Sequence, residues 1–299
     1  MKFFRKTLLI AIVGAVLLSS VKTQEYMIIT NLFQKLYGVF SSQSVGDSDE
    51  LFPKRGKDSP AETTSASAAS GWYCKHMNDG ERPPIPSEMS YIEDYGGYYI
   101  GEDEKVIYLT FDAGYENGNV EKILDTLKAE NVPAAFFILD HLAIDNTDLV
   151  KRMFDEGHLV CNHTAKHRDM TKMTSLDDFK AELEAMETVC EEKTGHSLAK
   201  YFRPPEGKIS EQSLKWANEL GYKTIMWSYA YADWDNGNQP SPESAIEKVI
   251  AGTHNGEVIL LHPTSSANAE ILPELIRRWR EMGYRFGTLD ELTEGNEEK

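Results

Sequence analysis

Residues 106–114 read Val106-Ile107-Tyr108-Leu109-Thr110-Phe111-Asp112-Ala113-Gly114. A run of β-branched and aromatic side chains ends in a carboxylate, and a loop with Gly114 and Gly118 follows. Such side chains fit a pleated surface, so the run predicts a strand. Beyond it Val120, Ile123, Leu124 and Leu127 recur at helical spacing up to Asn131. The same pair of signals then repeats along the chain. Strand-like runs lie at 134–139, 159–161, 201–202, 224–227, 258–261 and 284–286. Helical runs lie at 142–156, at about 176–193, at 213–220 before Gly221, near 245–250, and through Leu275 and Trp279. Strands alternating with helices predict a parallel β/α architecture. About seven strands in roughly 220 residues suit a barrel, complete or not, with a doubly wound open sheet as the alternative. No G-x-G-x-x-G or P-loop follows any strand, which argues against nucleotide binding.

The whole chain of 299 residues is long enough for one large domain or two small ones, and 41% apolar residues exclude wholesale disorder. With 31 basic and 48 acidic residues the net charge is −17, which argues against nucleic acid as a partner. The three cysteines form no Cys-x-x-Cys, which removes zinc ribbons and thioredoxin-type chemistry. Cys161 follows Leu159 and Val160 and reads as a small buried hydrophobe.

The first residues point out of the cytoplasm. Lys2, Arg5 and Lys6 precede the apolar run 8–18, which is shorter than the ~20 residues that span a bilayer. Residues 1–23 therefore read as a signal peptide or an N-terminal anchor, and no Ala-x-Ala junction decides between them. Both predict an exported, extracytoplasmic protein, in the cell wall or anchored to the membrane. Residues 24–71 hold an apolar segment and then a Ser/Ala-rich linker, ending in Ser65-Ala66-Ser67-Ala68-Ala69-Ser70-Gly71. Such a stretch buries too little apolar surface to offset its ordering entropy. The remaining residues, 72–299, form the predicted main domain.

In β/α barrels the carboxyl ends of the strands face the active site. Here those ends are chemically loaded: Asp112 after the first, His163 and His167 after the third, Arg203 after the fourth, Asp233 in the fifth region and His262 after the sixth. Each has a bland reading. Asp112 caps a loop, a histidine pair four apart is more often incidental, Arg203 sits in a rigid Pro-Pro turn, Asp233 caps a helix, and His262 is a core histidine. Their joint occurrence at successive strand ends favours a site. Two imidazoles at this spacing can grip one metal ion.

From about residue 100 to 292 the chain resembles the polysaccharide deacetylase family, carbohydrate esterase family 4, whose shared region is the NodB homology domain. Five stretches carry the resemblance in order: Thr110-Phe111-Asp112-Ala113-Gly114, His163-Thr164-Ala165-Lys166-His167, Arg203-Pro204-Pro205-Glu206-Gly207, Ala232-Asp233-Trp234 and Leu260-Leu261-His262. The extended Gly114-Tyr115-Glu116-Asn117-Gly118 and Tyr229-Ala230-Tyr231-Ala232-Asp233-Trp234 are most similar to the branch of delta-lactam-biosynthetic de-N-acetylases that act on spore-cortex peptidoglycan during sporulation.

The resemblance implies a NodB-type distorted (β/α) barrel. It also implies a metal-dependent hydrolase that removes N-acetyl groups from peptidoglycan, from N-acetylmuramic acid on the route to muramic delta-lactam. A divalent metal, zinc first and cobalt or another divalent ion next, would sit on His163 and His167. Asp112 would be the general base, held ionised by Arg203. His262 would protonate the leaving amine, with Asp233 keeping that imidazole charged. Trp227, Trp234 and Tyr231 would stack on sugar rings, and the partner would be peptidoglycan glycan strands.

One position departs from the pattern. The family's second aspartate, a metal ligand, is Ala113 here. The resemblance then leaves two imidazoles plus waters, or recruits Glu116 or Glu206. Two other readings stand beside the first: a deacetylase of N-acetylglucosamine in peptidoglycan or chitin oligomers, and a cell-wall glycan-binding protein without turnover.

Overall fold

The computed structural model describes residues 69–294, which fall within one unit, Thr63–Lys299. The signal-like segment, the apolar segment at 24–40 and most of the linker lie outside the described residues. No described helix is long and apolar enough to cross a membrane.

The elements alternate as the sequence predicts. In order they are β1 (Ser70–Gly71), a 3₁₀ helix (Ser87–Tyr95), β2 (Gly97–Tyr98), β3 (Val106–Ala113), α1 (Val120–Glu130), β4 (Ala135–Ile138), α2 (Asp140–Asp145), α3 (Thr147–Asp155), β5 (Leu159–Asn162) and α4 (Leu176–Thr194). They continue with β6 (Ala199–Phe202), β7 (Lys208–Ile209), α5 (Glu211–Glu219), β8 (Lys223–Ile225), β9 (Tyr229–Ala230), α6 (Pro242–Gly252), β10 (Glu257–Leu261), α7 (Ser266–Glu281), β11 (Arg285–Gly287) and α8 (Leu289–Glu294).

Among the described residues one nine-stranded sheet runs β2-β8-β6-β5-β4-β3-β10-β9, with β11 also on β3. Every ladder in it is parallel. An antiparallel bridge between Ile100 and Glu257 ties the segment after β2 to β10, so the sheet curls back on itself as a distorted half-barrel. The seven expected strands are all present. The two added ones, β2 and β9, lie at the edges and have two residues each, too few to show any periodicity. The predicted helix at 142–156 is divided at Asn146, whose φ of −132° and ψ of 45° are not helical.

Ser70 and Gly71, assigned to the linker on sequence, pair antiparallel with Ile209 and Lys208. The Trp72 backbone N–H then donates to Gly207 O (2.8 Å). The domain therefore begins before residue 72.

Packing follows the period of two that a strand imposes. In β3, Ile107, Leu109 and Phe111 join the core between the sheet and its outer helices, together with Ile123, Leu124 and Leu127 of α1. Val106 and Tyr108 point the other way, into a second core inside the curl with Ala135, Phe137, Cys161, Tyr201, Ile225 and Val258. Full burial of each large apolar side chain contributes about 1.5–3 kcal/mol, which fixes the register of every strand. Cys74, Cys161 and Cys190 are free thiols, and Cys161 is fully buried as expected.

Candidate active site

The same alternation aims the polar residues. Asp112 has the parity of Val106 and Tyr108, His163 that of Cys161, Arg203 that of Tyr201, Trp227 that of Ile225, and His262 that of Val258. Because the ladders are parallel, all these strand ends lie on one rim. The inward face of the barrel thus turns from apolar to polar where its strands stop.

Arg203 is fully buried and tied at every nitrogen. Its Nε donates to Ile225 O (2.9 Å), Nη2 to Met226 O (3.1 Å) and Nη1 to Asp112 Oδ1 (2.9 Å). Its guanidinium lies 4.2 Å from the Phe137 ring centre and 5.7 Å from that of Trp227. Burial by itself would raise the Asp112 carboxyl. The Arg203 charge and hydrogen bond, with the charge of His262, outweigh burial and hold Asp112 below the ordinary carboxylate value.

His163 Nδ1 donates to Arg203 O (2.8 Å), which fixes its tautomer and leaves Nε2 as a lone pair 3.6 Å from Asp112 Oδ2. Burial pushes this imidazole down to about 4, so it stays neutral, the form that binds metals. His167 is exposed, and its ring meets that of His163 edge to face with centroids 5.1 Å apart. The pair fits a divalent ion held by two protein imidazoles. No group of three or more His, Cys, Asp or Glu is poised for a metal among the described residues. Ala113 is fully buried in the outer core and offers no donor. Neither Glu116 nor Glu206 replaces it: Glu116 Oε1 accepts the Gly118 N–H, and Glu206 pairs with Lys208 (2.8 Å). That pairing also offsets the Glu206 charge beside the Arg203 loop.

On another strand end, His262 Nδ1 donates to Asp233 Oδ1 (2.7 Å), while its backbone N–H donates to Asp233 Oδ2 (2.8 Å). Burial alone would lower the His262 pKa. The Asp233 hydrogen bond and charge overcome that effect and hold it above the ordinary histidine value. β3 and β10 are neighbours in register with Phe111 opposite Leu261, so Asp112 and His262, one residue further on, stand at adjacent strand ends on the same rim.

The aromatic residues divide. Trp234 is 62% exposed beside His262, with ring centroids 6.2 Å apart. Trp227 is half-buried against the Arg203 loop: a Cβ on Gly207, whose φ is +64°, would lie 2.7 Å from its ring and 3.2 Å from Trp72. Tyr231 departs from the expectation. It is buried, and its hydroxyl donates to Asn268 Oδ1, which commits it to supporting the fold beside Asp233.

Sequence reasoning missed two supporting residues. Asn268 Nδ2 donates to Asp233 Oδ2 (2.6 Å) and to His262 O (3.0 Å), which locks the Asp233–His262 pair from the first turn of α7. Trp72 Nε1 donates to Trp227 O (2.9 Å). The only local signal was Ser265, the N-cap that accepts the Asn268 N–H (3.1 Å) and sets where α7 begins.

Comparison with known proteins bears on this geometry. Residues 100–225 match the family described as polysaccharide deacetylase. The chain is 40% identical over 223 residues, 74% of its length and 84% of the relative, to the peptidoglycan-N-acetylmuramic acid deacetylase PdaA of Bacillus subtilis. It is 32% identical over 216 residues, 71% of its length and 77% of the relative, to a peptidoglycan-N-acetylglucosamine deacetylase of Bacillus cereus. The solved structure of Bacillus subtilis PdaA, a family 4 carbohydrate esterase, superposes with a TM-score of 0.73 at 38% identity, over 77% of this chain and 98% of that one.

Proposed function

The chain belongs to the polysaccharide deacetylase family, and from that premise we propose that it hydrolyses the N-acetyl group of N-acetylmuramic acid in exported peptidoglycan, on the route to muramic delta-lactam in the spore cortex. One observation carries the reading. A carboxylate held ionised by a buried guanidinium and an imidazole held charged by a buried carboxylate share one rim, beside two imidazoles that suit a metal. Amide hydrolysis needs all three devices, because the carbonyl is a poor electrophile and the amine a poor leaving group.

His163 and His167 would hold a divalent ion, zinc by donor chemistry, which would supply Lewis acidity toward the acetamide oxygen and toward water. Asp112 takes the proton of the attacking water, and Arg203 keeps that carboxylate ionised and aimed. His262 gives its proton to the sugar nitrogen as the carbon–nitrogen bond breaks, releasing acetate and a free amine. Asp233, fixed by Asn268, keeps His262 charged for that step. Trp234 offers an exposed face on which a sugar ring can stack. The N-terminal segment directs export, as a cleaved signal or as a retained anchor.

Muramic acid is preferred to glucosamine because the relative named as an N-acetylmuramic acid deacetylase is the more similar of the two compared. Mass spectrometry of peptide-free glycan strands, treated with protein and zinc and then digested, separates the two. The expected product is a muramic residue that has lost its acetyl group and then water. Deacetylation confined to glucosamine would overturn the substrate assignment.

A further inference from the structure

The loop that carries both imidazoles is not relaxed. Thr164 has φ +73° and His167 φ +53°, left-handed values that non-glycine residues avoid. Something must hold the backbone there. Within the loop, Thr164 Oγ1 accepts the His167 N–H (2.9 Å), and Asn162 Oδ1 accepts the Thr164 N–H (2.8 Å). Those bonds shape the loop but do not fasten its far end to the rest of the fold.

Lys166 does so. Its backbone N–H donates to Glu182 Oε1 (2.7 Å), and its Nζ lies 2.5 Å from Asp140 Oδ2. Both carboxylates are buried, Glu182 at 7% and Asp140 at 3% exposure, and they come from different elements: Glu182 from the middle of α4, Asp140 from the start of α2, just beyond β4. The Asp140 backbone N–H also reaches Ala165 O (3.4 Å). Two buried acids grip one residue of a strained loop, and that residue adjoins His167.

We infer that Asp140 and Glu182 are positioning residues of the metal site, which hold Lys166 between them and so keep His163 and His167 directed at a common point. This rests on the metal reading above and extends it. With Ala113 in place of a third protein ligand, and no group of three or more His, Cys, Asp or Glu poised for a metal among the described residues, affinity depends on how well the two imidazoles are pre-arranged. Outer partners that orient metal-binding imidazoles typically change affinity by about 10–100-fold when removed.

The test uses the metal-stripped protein and zinc alone, measured by competition with a chromophoric chelator. Lys166→Met and Glu182→Met should each bind zinc about 10–100-fold more weakly than wild type. Glu182→Gln keeps an oxygen for the Lys166 N–H and should stay within about threefold of wild type. Lys166→Met leaves buried Asp140 without its counter-ion, so the metal-free thermal midpoint falls. A purely structural role would leave the upward shift of the midpoint on adding zinc equal to that of wild type, whereas the inference predicts that this shift shrinks. Lys166 is half exposed, so Lys166→Met keeps the test open should Glu182→Met fail to fold. Wild-type zinc affinity in Lys166→Met overturns the inference, and so does a wild-type protein that binds no zinc. A wild type that binds zinc but releases no acetate overturns the functional proposal and leaves this one intact.

Discussion

At the scale of single residues, the account rests on two charge states. His262 must be protonated to give up a proton, and Asp233 holds its pKa above the ordinary value. The group is therefore active at low pH, and activity fades as pH rises through the elevated pKa. Asp233→Asn removes the carboxylate that raises it, so the basic limb of the kcat/KM profile should move to lower pH. An unmoved limb would mean that His262 is not the acid. Arg203 gives a second prediction. Lysine offers a point charge and cannot donate to Asp112, Ile225 O and Met226 O together, so Arg203→Lys should lower kcat/KM at least about tenfold at saturating metal. Arg203→Met strands the Asp112 charge and should cost about 3–5 kcal/mol in urea unfolding. Asp112, His163, Arg203, Asp233 and His262 were legible in the sequence because each stands beside a strand-like run and within a recognisable motif. Asn268 was not, because nothing in the sequence shows that α7 starts where its amide meets Asp233.

At the scale of elements, strand parity explains both the aim of the site and the fate of Ala113. The alternation that sends Asp112 inward sends Ala113 out into the core against the helices. Tyr231 misled for a related reason: the sequence shows an aromatic near the site but not that its hydroxyl is spent on Asn268. His158, just before β5, offers a test of an element. It is 6% exposed, packs edge-on to Phe136, and neither ring nitrogen has a hydrogen-bond partner among the described residues. Burial pushes its pKa from 6.5 down to about 4. The unfolded chain therefore binds the proton more tightly, and stability falls as pH drops from 6.5 toward 4, by roughly 3 kcal/mol at the end. His158→Phe should remove most of that acid loss and leave stability at neutral pH within about 1 kcal/mol, read from urea midpoints. An unchanged acid dependence would show that other groups carry it.

At the scale of the whole molecule, the alternating pattern predicts a parallel β/α architecture and fits a barrel or an open sheet; the family resemblance implies the distorted barrel, whose closing pieces leave no pattern. The closing pieces are β2, β9 and the Ile100–Glu257 bridge, each too short to leave a pattern. Ser70 and Gly71 look like linker in the sequence because their pairing partners, Ile209 and Lys208, lie far along the chain. A chain beginning at residue 69 should fold and act on soluble glycan like the full chain. One beginning at residue 79 loses β1 and the Trp72 contacts with Gly207 and Trp227, and its thermal midpoint should fall by several degrees, to about 2–4 °C per kcal/mol lost. The central claim is that side chains from separate strand ends act together on one acetamide. Acetate release from peptide-free glycan strands, with zinc added, tests it most directly. Wild type should release acetate, and Asp112→Asn and His262→Ala should each slow release by about 10²–10⁴-fold while remaining folded. Release at the wild-type rate from both variants would contradict the account.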